Sequence, residues 1–329
     1  MHTTRNNKNN GLWLLVVAGT LWGTGGLTGS LLARHTGLTS PAVAAYRLGL
    51  GGLVLVLMVV VTGRKWPRGR RAWTRITVVG LLAAGFQASY FAGVGRVSVS
   101  LATLLTIGAA PVLVLVAESA LGRRRVDGRA LVTVAIALGG LTLLIGVPEG
   151  GRELTAMLAG GGFALLAAAG FATMTIVGSR PVDGLDDLVG TGLAFTLGSF
   201  VLAPFAAAGG GLGFTPNGPG VGLLVALGVG PTAIAYAAYF RGLRTSEAGT
   251  AALMALLEPL VGTVLSIVVL GDRLGPAGGT GAVLLVVALF LEARRSAAGE
   301  VRPRSREAGA APVETAGNAT PVETAGKLS

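Results

Sequence analysis

Three ionisable residues interrupt the apolar runs of this 329-residue chain: Arg47, Glu118 and Glu258. In a hydrocarbon setting such residues are rare and costly, so each is a candidate for function. Glu258 stands 12 residues before the end of the run Ala248 to Leu270. At 1.5 Å per residue that is roughly 18 Å deep, near a bilayer midplane. At helical spacing it shares a face with Ala251, Ala255, Gly262 and Ser266, a small and polar stripe suited to a bundle interior. Pro259 has no N–H to offer the Ala255 carbonyl, which is expected to stay a free acceptor beside the carboxyl group. Two readings of Glu258 stand: a site for a substrate ammonium or a proton, and a structural carboxyl that pairs with another helix.

Arg47 lies six residues past Pro41, about 9 Å below the boundary of its run at helical rise. It could snorkel outward, pair with Glu258 or bind a substrate carboxylate. Glu118 sits one turn before Gly122 and the cluster Arg123 to Arg125, where an interfacial ion pair is expected. Uncharged pocket candidates are Trp22, Gln87, Tyr90, Tyr236 and Tyr239. Gln87 and Tyr90 share a helix face at i,i+3, and Thr232, Tyr236 and Tyr239 form another stripe. Tyr239, near a run end, is expected to anchor at the membrane interface. Pro111 and Pro259, at matching places in two runs, are expected helix breaks.

Other chemistries find little material. There are no cysteines, and the two histidines, His2 and His35, fall in a tail and a loop, so neither a metal nor a cofactor site is expected. The glycines of Gly209 to Gly213 precede no lysine of a phosphate-binding loop. Gly19 with Gly23, and Gly25 with Gly29, have the GxxxG spacing of close helix packing, with a hinge as the alternative.

The elements that must carry these residues are membrane spans. The chain is 52% hydrophobic and only 12% charged, with mean hydropathy +0.71, against about a quarter charged in soluble domains. Ten apolar runs follow one another: 12–32, 42–62, 76–95, 99–121, 130–147, 155–178, 188–208, 220–240, 248–270 and 276–293. The net charge of +11 is spread over the ends of these runs rather than one face, which argues against a nucleic-acid partner. With the N-terminus cytoplasmic, inner segments hold 21 Lys or Arg and outer loops four, so both termini are expected inside.

The chain also repeats itself. Arg96, Ser98, Leu105, Pro111 and Val116 line up with Arg244, Ser246, Leu253, Pro259 and Val264, each 148 positions on, and Gly122 answers Gly271. Five spans per repeat is an odd number, so the second must enter the membrane inverted relative to the first. That is the architecture of secondary transporters, with a site near the midplane between the halves. The expected division is a cytoplasmic tail at 1–11, repeats of five helices at 12–147 and 155–293, and a polar tail at 294–329 in which APVETAG recurs as TPVETAG.

With the repeats placed, the chain resembles the EamA family of the drug/metabolite transporter superfamily over about Leu12 to Ala293. The resemblance rests on LWGTGG (Leu21 to Gly26), AYRLGL around Arg47, ATLLTIGAAPVLVLVAE in the fourth span and the long run from Tyr236 to Leu274. The chain departs from the family pattern after the terminal glycine, where the usual acid is Asp272 in the second repeat but Arg123 in the first. Such a resemblance implies ten helices in two inverted repeats, an inner-membrane location and the transport, often export, of small metabolites. The expected function is therefore export of amino-acid-like or amphiphilic compounds by alternating access. Protons are the candidate coupling ion and a homodimer is a candidate assembly. The competing classes are an intramembrane enzyme acting on lipid-borne substrate and a non-transporting sensor or scaffold. The first would need an acid pair, a Ser-His pair or a metal cluster at matched depth; the second fits better with a folded soluble domain.

Overall fold

The structure is a computed structural model and describes residues 2–122, 127–146, 153–271 and 273–298, with side chains described from residue 10 to 296. The cluster Arg123–Arg125, Asp272 and the tail beyond Ala298 lie outside the described residues, as do the pairing expected between Glu118 and that cluster and the APVETAG repeat. Among the described residues ten helices are long and apolar enough to cross a membrane. They are α1 (His2–Thr36), α2 (Ser40–Val61), α3 (Arg70–Val94), α4 (Val99–Ala120), α5 (Gly128–Ile145), α6 (Leu154–Gly178), α7 (Asp187–Ala208), α8 (Gly218–Gly242), α9 (Ala248–Leu270) and α10 (Pro276–Ala298).

The helix ends follow local chemistry. Ser98, Asp127, Asp186 and Asn217 cap α4, α5, α7 and α8 by accepting orphan N–H groups of the first turn. Gly122 and Gly271, paired in the sequence, both take left-handed φ, at 66° and 74°, and end α4 and α9. α3 starts at Arg70, six residues before the expected Ile76. Its basic first turns can stay helical because arginine stems reach outward while their heads remain solvated.

Pro231, Pro259 and Pro111 fall inside α8, α9 and α4. Pro231 has no N–H for the Leu227 carbonyl, and there α8 widens into a π-type turn at Val229–Ile234. The Thr232 hydroxyl donates to that same Leu227 carbonyl at 2.8 Å. In α9 the helix is interrupted at Ala255 and Leu256, ahead of Pro259. The Ala255 carbonyl is not left free as expected: the tightened turn brings the Glu258 N–H onto it at 3.0 Å. α4 by contrast runs through Pro111 without interruption, correcting the second expected break. The carbonyl that loses its donor there belongs to Ile107, which borders an open cavity, so solvent can satisfy it without a bend.

The helices pack chiefly across the two halves rather than within them. α3 lies on α6 and α7, and its repeat counterpart α8 lies on α1 and α2; α4 meets α6 as α9 meets α1; α2–α7 and α5–α10 are self-related pairs. α3 and α8 correspond end to end, 70 to 218 and 94 to 242. The exchange is visible atom by atom. A Cβ on Gly198 of α7 would come within 2.9 Å of the Gly80 carbonyl of α3. A Cβ on Gly51 of α2 would come within 3.0 Å of the Gly228 carbonyl of α8. This is an all-α polytopic membrane protein of two inverted five-helix repeats.

Close backbone approach at these glycines yields a stability prediction. Gly80→Ala would place its Cβ 2.6 Å from the Ala194 carbonyl, a backbone atom that cannot yield cheaply. It should destabilise by about 1–3 kcal/mol, as overpacked cores do, whereas Gly85→Ala on the same helix meets nothing within 4 Å and should not. Thermal unfolding of the two variants in one detergent compares them directly; equal melting temperatures would refute the tight crossing.

Candidate functional site

A cavity of about 530 Å³ lies between α1, α2, α3, α4, α8 and α9, with α6 contributing Phe171. Trp22, Arg47, Gln87, Tyr90, Tyr236 and Glu258 all line it, and so do Ala110, the counterpart of Glu258, and Ile107 beside Pro111. Residues far apart in the chain converge because the broken helices α8 and α9 cross α1 and α2. The approach of α1 to α9 depends on the first GxxxG pair. A Cβ on Gly19 would meet the Met254 carbonyl at 2.6 Å, and one on Gly23 would meet Val261 at 2.5 Å and the Glu258 carbonyl at 2.9 Å. Gly25 and Gly29 line the cavity instead.

The cavity reaches Arg34 and Ser40 beside the α1–α2 turn and Val94 and Val99 beside the α3–α4 turn. Arg34, Ser40 and Val99 are exposed, so it opens on that side of the bundle, termed here the mouth face. The opposite side, where both termini lie, is the terminal face. Between the cavity and that face stands an aromatic floor. Trp22 packs on Tyr236 and Tyr239 with ring centroids 4.9 Å away in each case, and Phe171 lies 5.9 Å from both Trp22 and Phe86.

Tyr239 corrects its expected role. It is 1% exposed and holds the floor together rather than anchoring at the interface. The Thr175 hydroxyl donates to the Phe171 carbonyl at 2.9 Å, so Tyr239 is the donor in the 2.7 Å bond between the two hydroxyls. A tyrosine near a span end reads as an anchor only if its helix is lipid-facing there; α8 turns this face onto α1 and α6.

The polar groups of the cavity are few and unevenly partnered. The Tyr90 hydroxyl bonds Thr103 at 2.8 Å, and Thr106 donates to the Ala164 carbonyl at 3.1 Å. The indole N–H of Trp22, a residue 5% exposed, and the Nε–H of Arg47 are buried with no hydrogen-bond partner. A buried donor left unmade costs about 1–3 kcal/mol, and a cavity wall is where a bound molecule can recover that cost. Arg47 and Glu258 line the same cavity, yet no direct ion pair joins them. Arg47 therefore does not take the paired role with Glu258 that one expectation gave it.

Glu118 lies outside the cavity. It is buried and its Oε2 accepts the Gly249 N–H at 3.2 Å, tying α4 to the first turn of α9. Glu292 is a fourth ionisable residue within a span, overlooked because it falls at the end of its apolar run. It is 0% exposed, accepts from Thr250 at 2.7 Å and faces Arg295 at 3.4 Å. The Arg295 spacing at i,i+3 was the available signal. Among the described residues no cluster of His, Cys, Asp and Glu could hold a metal ion.

An inverted-repeat bundle with a deep, largely apolar cavity carrying a few polar groups at the junction of its halves is the architecture of a membrane carrier. The EamA-like transporter family model matches residues 9–146 and 158–293, one match per repeat, and the chain belongs to this family. The chain is similar to the uncharacterized transporter YwfM of Bacillus subtilis, with 26% identity over 84% of this chain and 91% of that protein. It is also similar to the uncharacterized inner membrane transporter YicL of Salmonella typhimurium, with 26% identity over 88% and 98% of the two chains. A crystal structure 18% identical in sequence superposes with a TM-score of 0.74 over 86% of this chain and 98% of that one, a likeness of fold alone. These findings support a transporter role for a multi-pass membrane protein that contacts lipid and a small-molecule substrate.

Removing the Tyr239 hydroxyl tests the floor. Tyr239→Phe deletes one donor while Thr175 keeps its bond to Phe171. The loss should be about 1 kcal/mol, seen as a lower melting temperature of the purified protein. An unchanged value would mean that the hydroxyl pair does not contribute to stability.

Proposed function

We propose that the protein exports small amino-acid-like or amphiphilic metabolites across the inner membrane by alternating access, with Glu258 and Arg47 at the binding site. The observation that carries this reading is the pairing of two unpartnered donors, Trp22 Nε1 and Arg47 Nε, with the Glu258 carboxylate on the wall of one cavity. A carboxylate or carbonyl on the substrate would satisfy the donors, and a substrate ammonium would face Glu258. Phe86, Phe171 and Tyr236 would hold its apolar part. The volume lies in the range of small-molecule sites, about 300–1,000 Å³.

The charge bias of the loops supports cytoplasmic termini, which makes the mouth face extracytoplasmic and this arrangement the release state. Protons are the coupling ion in this scheme: Glu258 holds either a proton or the substrate ammonium, so the two travel in opposite directions. Conversion to the inward-facing state requires the floor to part and the mouth to close.

Efflux from proteoliposomes loaded with a panel of amino acids and small amphiphilic amines tests the proposal, with and without a pH gradient. One class should leave through the wild type, faster with the gradient. Glu258→Gln should abolish the effect of the gradient, and Arg47→Gln should cut the rate at least about tenfold, as loss of a desolvated charge-assisted bond of about 1.5–3 kcal/mol would do. Efflux by Glu258→Gln that still responds to the gradient would remove that carboxyl from the mechanism. Absence of selective efflux for every panel member under either condition would overturn the substrate assignment.

A further inference from the structure

Gln87 lines the same cavity but takes no part in holding the charges of a substrate. It is 5% exposed, yet its carboxamide has no hydrogen-bond partner among the described residues. Hydroxyls of the cavity are committed to the protein by contrast: Ser30 donates to the Gly26 carbonyl at 2.8 Å, Thr106 to the Ala164 carbonyl at 3.1 Å, and Tyr90 shares a bond of 2.8 Å with Thr103. A primary amide carries two N–H donors and an oxygen with two lone pairs. Left unmade inside a bundle, those bonds cost the desolvation of the whole group, so the amide is held ready for a molecule in the cavity.

Its place in the fold fixes what that molecule presents. Gln87 lies seven residues before Val94, the mouth end of α3, and Arg47 lies seven residues after Ser40, the mouth end of α2. At 1.5 Å per residue both sit about 10 Å below the mouth, at one level. A substrate whose carboxylate is held at Arg47 therefore has its remaining atoms within the layer that Gln87 borders. On α3 the cavity is also lined by Phe86, Tyr90 and Phe91, and the helix has no Asp, Glu, Lys or Arg from Ile76 to Val94. This wall offers an apolar surface with one uncharged amide in it and no counter-ion of its own.

We propose that Gln87 is a specificity-determining residue that reads a hydroxyl or carboxamide on the side chain of a zwitterionic substrate, so that the preferred substrates are polar, uncharged amino acids. This rests on the reading of Glu258 and Arg47 above and names the substrate class of that site. While the cavity is open, water can serve the amide; once it closes, only the substrate can. A hydroxyl or amide then replaces the water bond for bond. A methyl group in the same place strips the water and returns nothing, which is the case in which a polar site discriminates strongly. A carboxylate could accept from the amide N–H groups, but it would bring a buried charge to a wall with no cation on α3.

Equilibrium binding to the purified full-length chain, read by calorimetry, tests this without any transport step. L-threonine and L-valine have the same shape and differ by a hydroxyl for a methyl group; L-glutamine and L-glutamate differ by a neutral amide for a charge. Threonine should bind at least about fivefold tighter than valine, and glutamine tighter than glutamate by a similar factor. Gln87→Leu should reverse the first order, so that valine outbinds threonine, a reversal that a misfolded chain could not produce. Arg47→Gln should weaken threonine and valine alike and keep their ratio. Equal binding of threonine and valine by the wild type, or a preference for threonine that survives Gln87→Leu, would overturn the role of Gln87 and leave the zwitterion site standing. Glutamate bound as tightly as glutamine would overturn the restriction to uncharged side chains. Binding of none of the four would overturn this inference together with the substrate class proposed above.

Discussion

Two helix carbonyls at the heart of this bundle, those of Leu227 and Ala255, lose their usual donors to Pro231 and Pro259, in a region where hydrocarbon offers no substitute. Each is answered within a few residues, one by the Thr232 hydroxyl and the other by the Glu258 N–H. The consequence is geometric. α8 and α9 change pitch at the level of the cavity, and the change sets the depth and direction of Tyr236 and Glu258. The rule that every polar backbone group must be satisfied inside the bundle therefore shapes the cavity as well as the helices. Where the rule is relaxed, at Ile107 ahead of Pro111, the carbonyl belongs to a residue that borders the open cavity.

The same scarcity of solvent explains how the halves join. Association of helices in lipid gains little from burying apolar surface, so contact has to come from close backbone approach. Gly80 with Gly198, and Gly51 with Gly228, give such approach at positions related by the repeat. Gly19 and Gly23 do the same for α1 on α9, next to Glu258. Because the crossings run between halves, neither repeat has a core of its own. The cavity is what remains where the two sets of crossings diverge toward the mouth face.

Much of this was legible in the chain because its signals are local. A scarcity of charge and a run length near twenty residues define a span without reference to any partner, and the repeated Arg, Ser, Pro and Gly define the inversion. The types of the cavity residues were legible too, since an ionisable or amphipathic side chain deep in a span stands out. That all six share one wall was not, because convergence depends on crossings between residues 22, 47, 87, 90, 236 and 258. Tyr239 misled for the same reason: the sequence gives its depth, and only the packing of α8 gives its direction. Glu292 falls at the tail of its run, and its partner Thr250 lies 42 residues away along the chain, beyond any periodicity.

Duplication accounts for the scaffold, and departure from duplication accounts for its chemistry. The midplane acid breaks the two-fold relation: Glu258 has Ala110 as its counterpart in the other repeat. A symmetric pair of acids at the midplane would repel each other and bind a single cation no better oriented than one acid does. An inverted repeat supplies two interchangeable arrangements of nearly equal packing, since each crossing on one face has its equivalent on the other. A few unmatched polar residues are then enough to set which arrangement prevails, because the difference they must supply is only about 1–2 kcal/mol for a tenfold bias. Helix packing of this kind can stay conservative while single residues at the turns and the midplane tune direction and ligand.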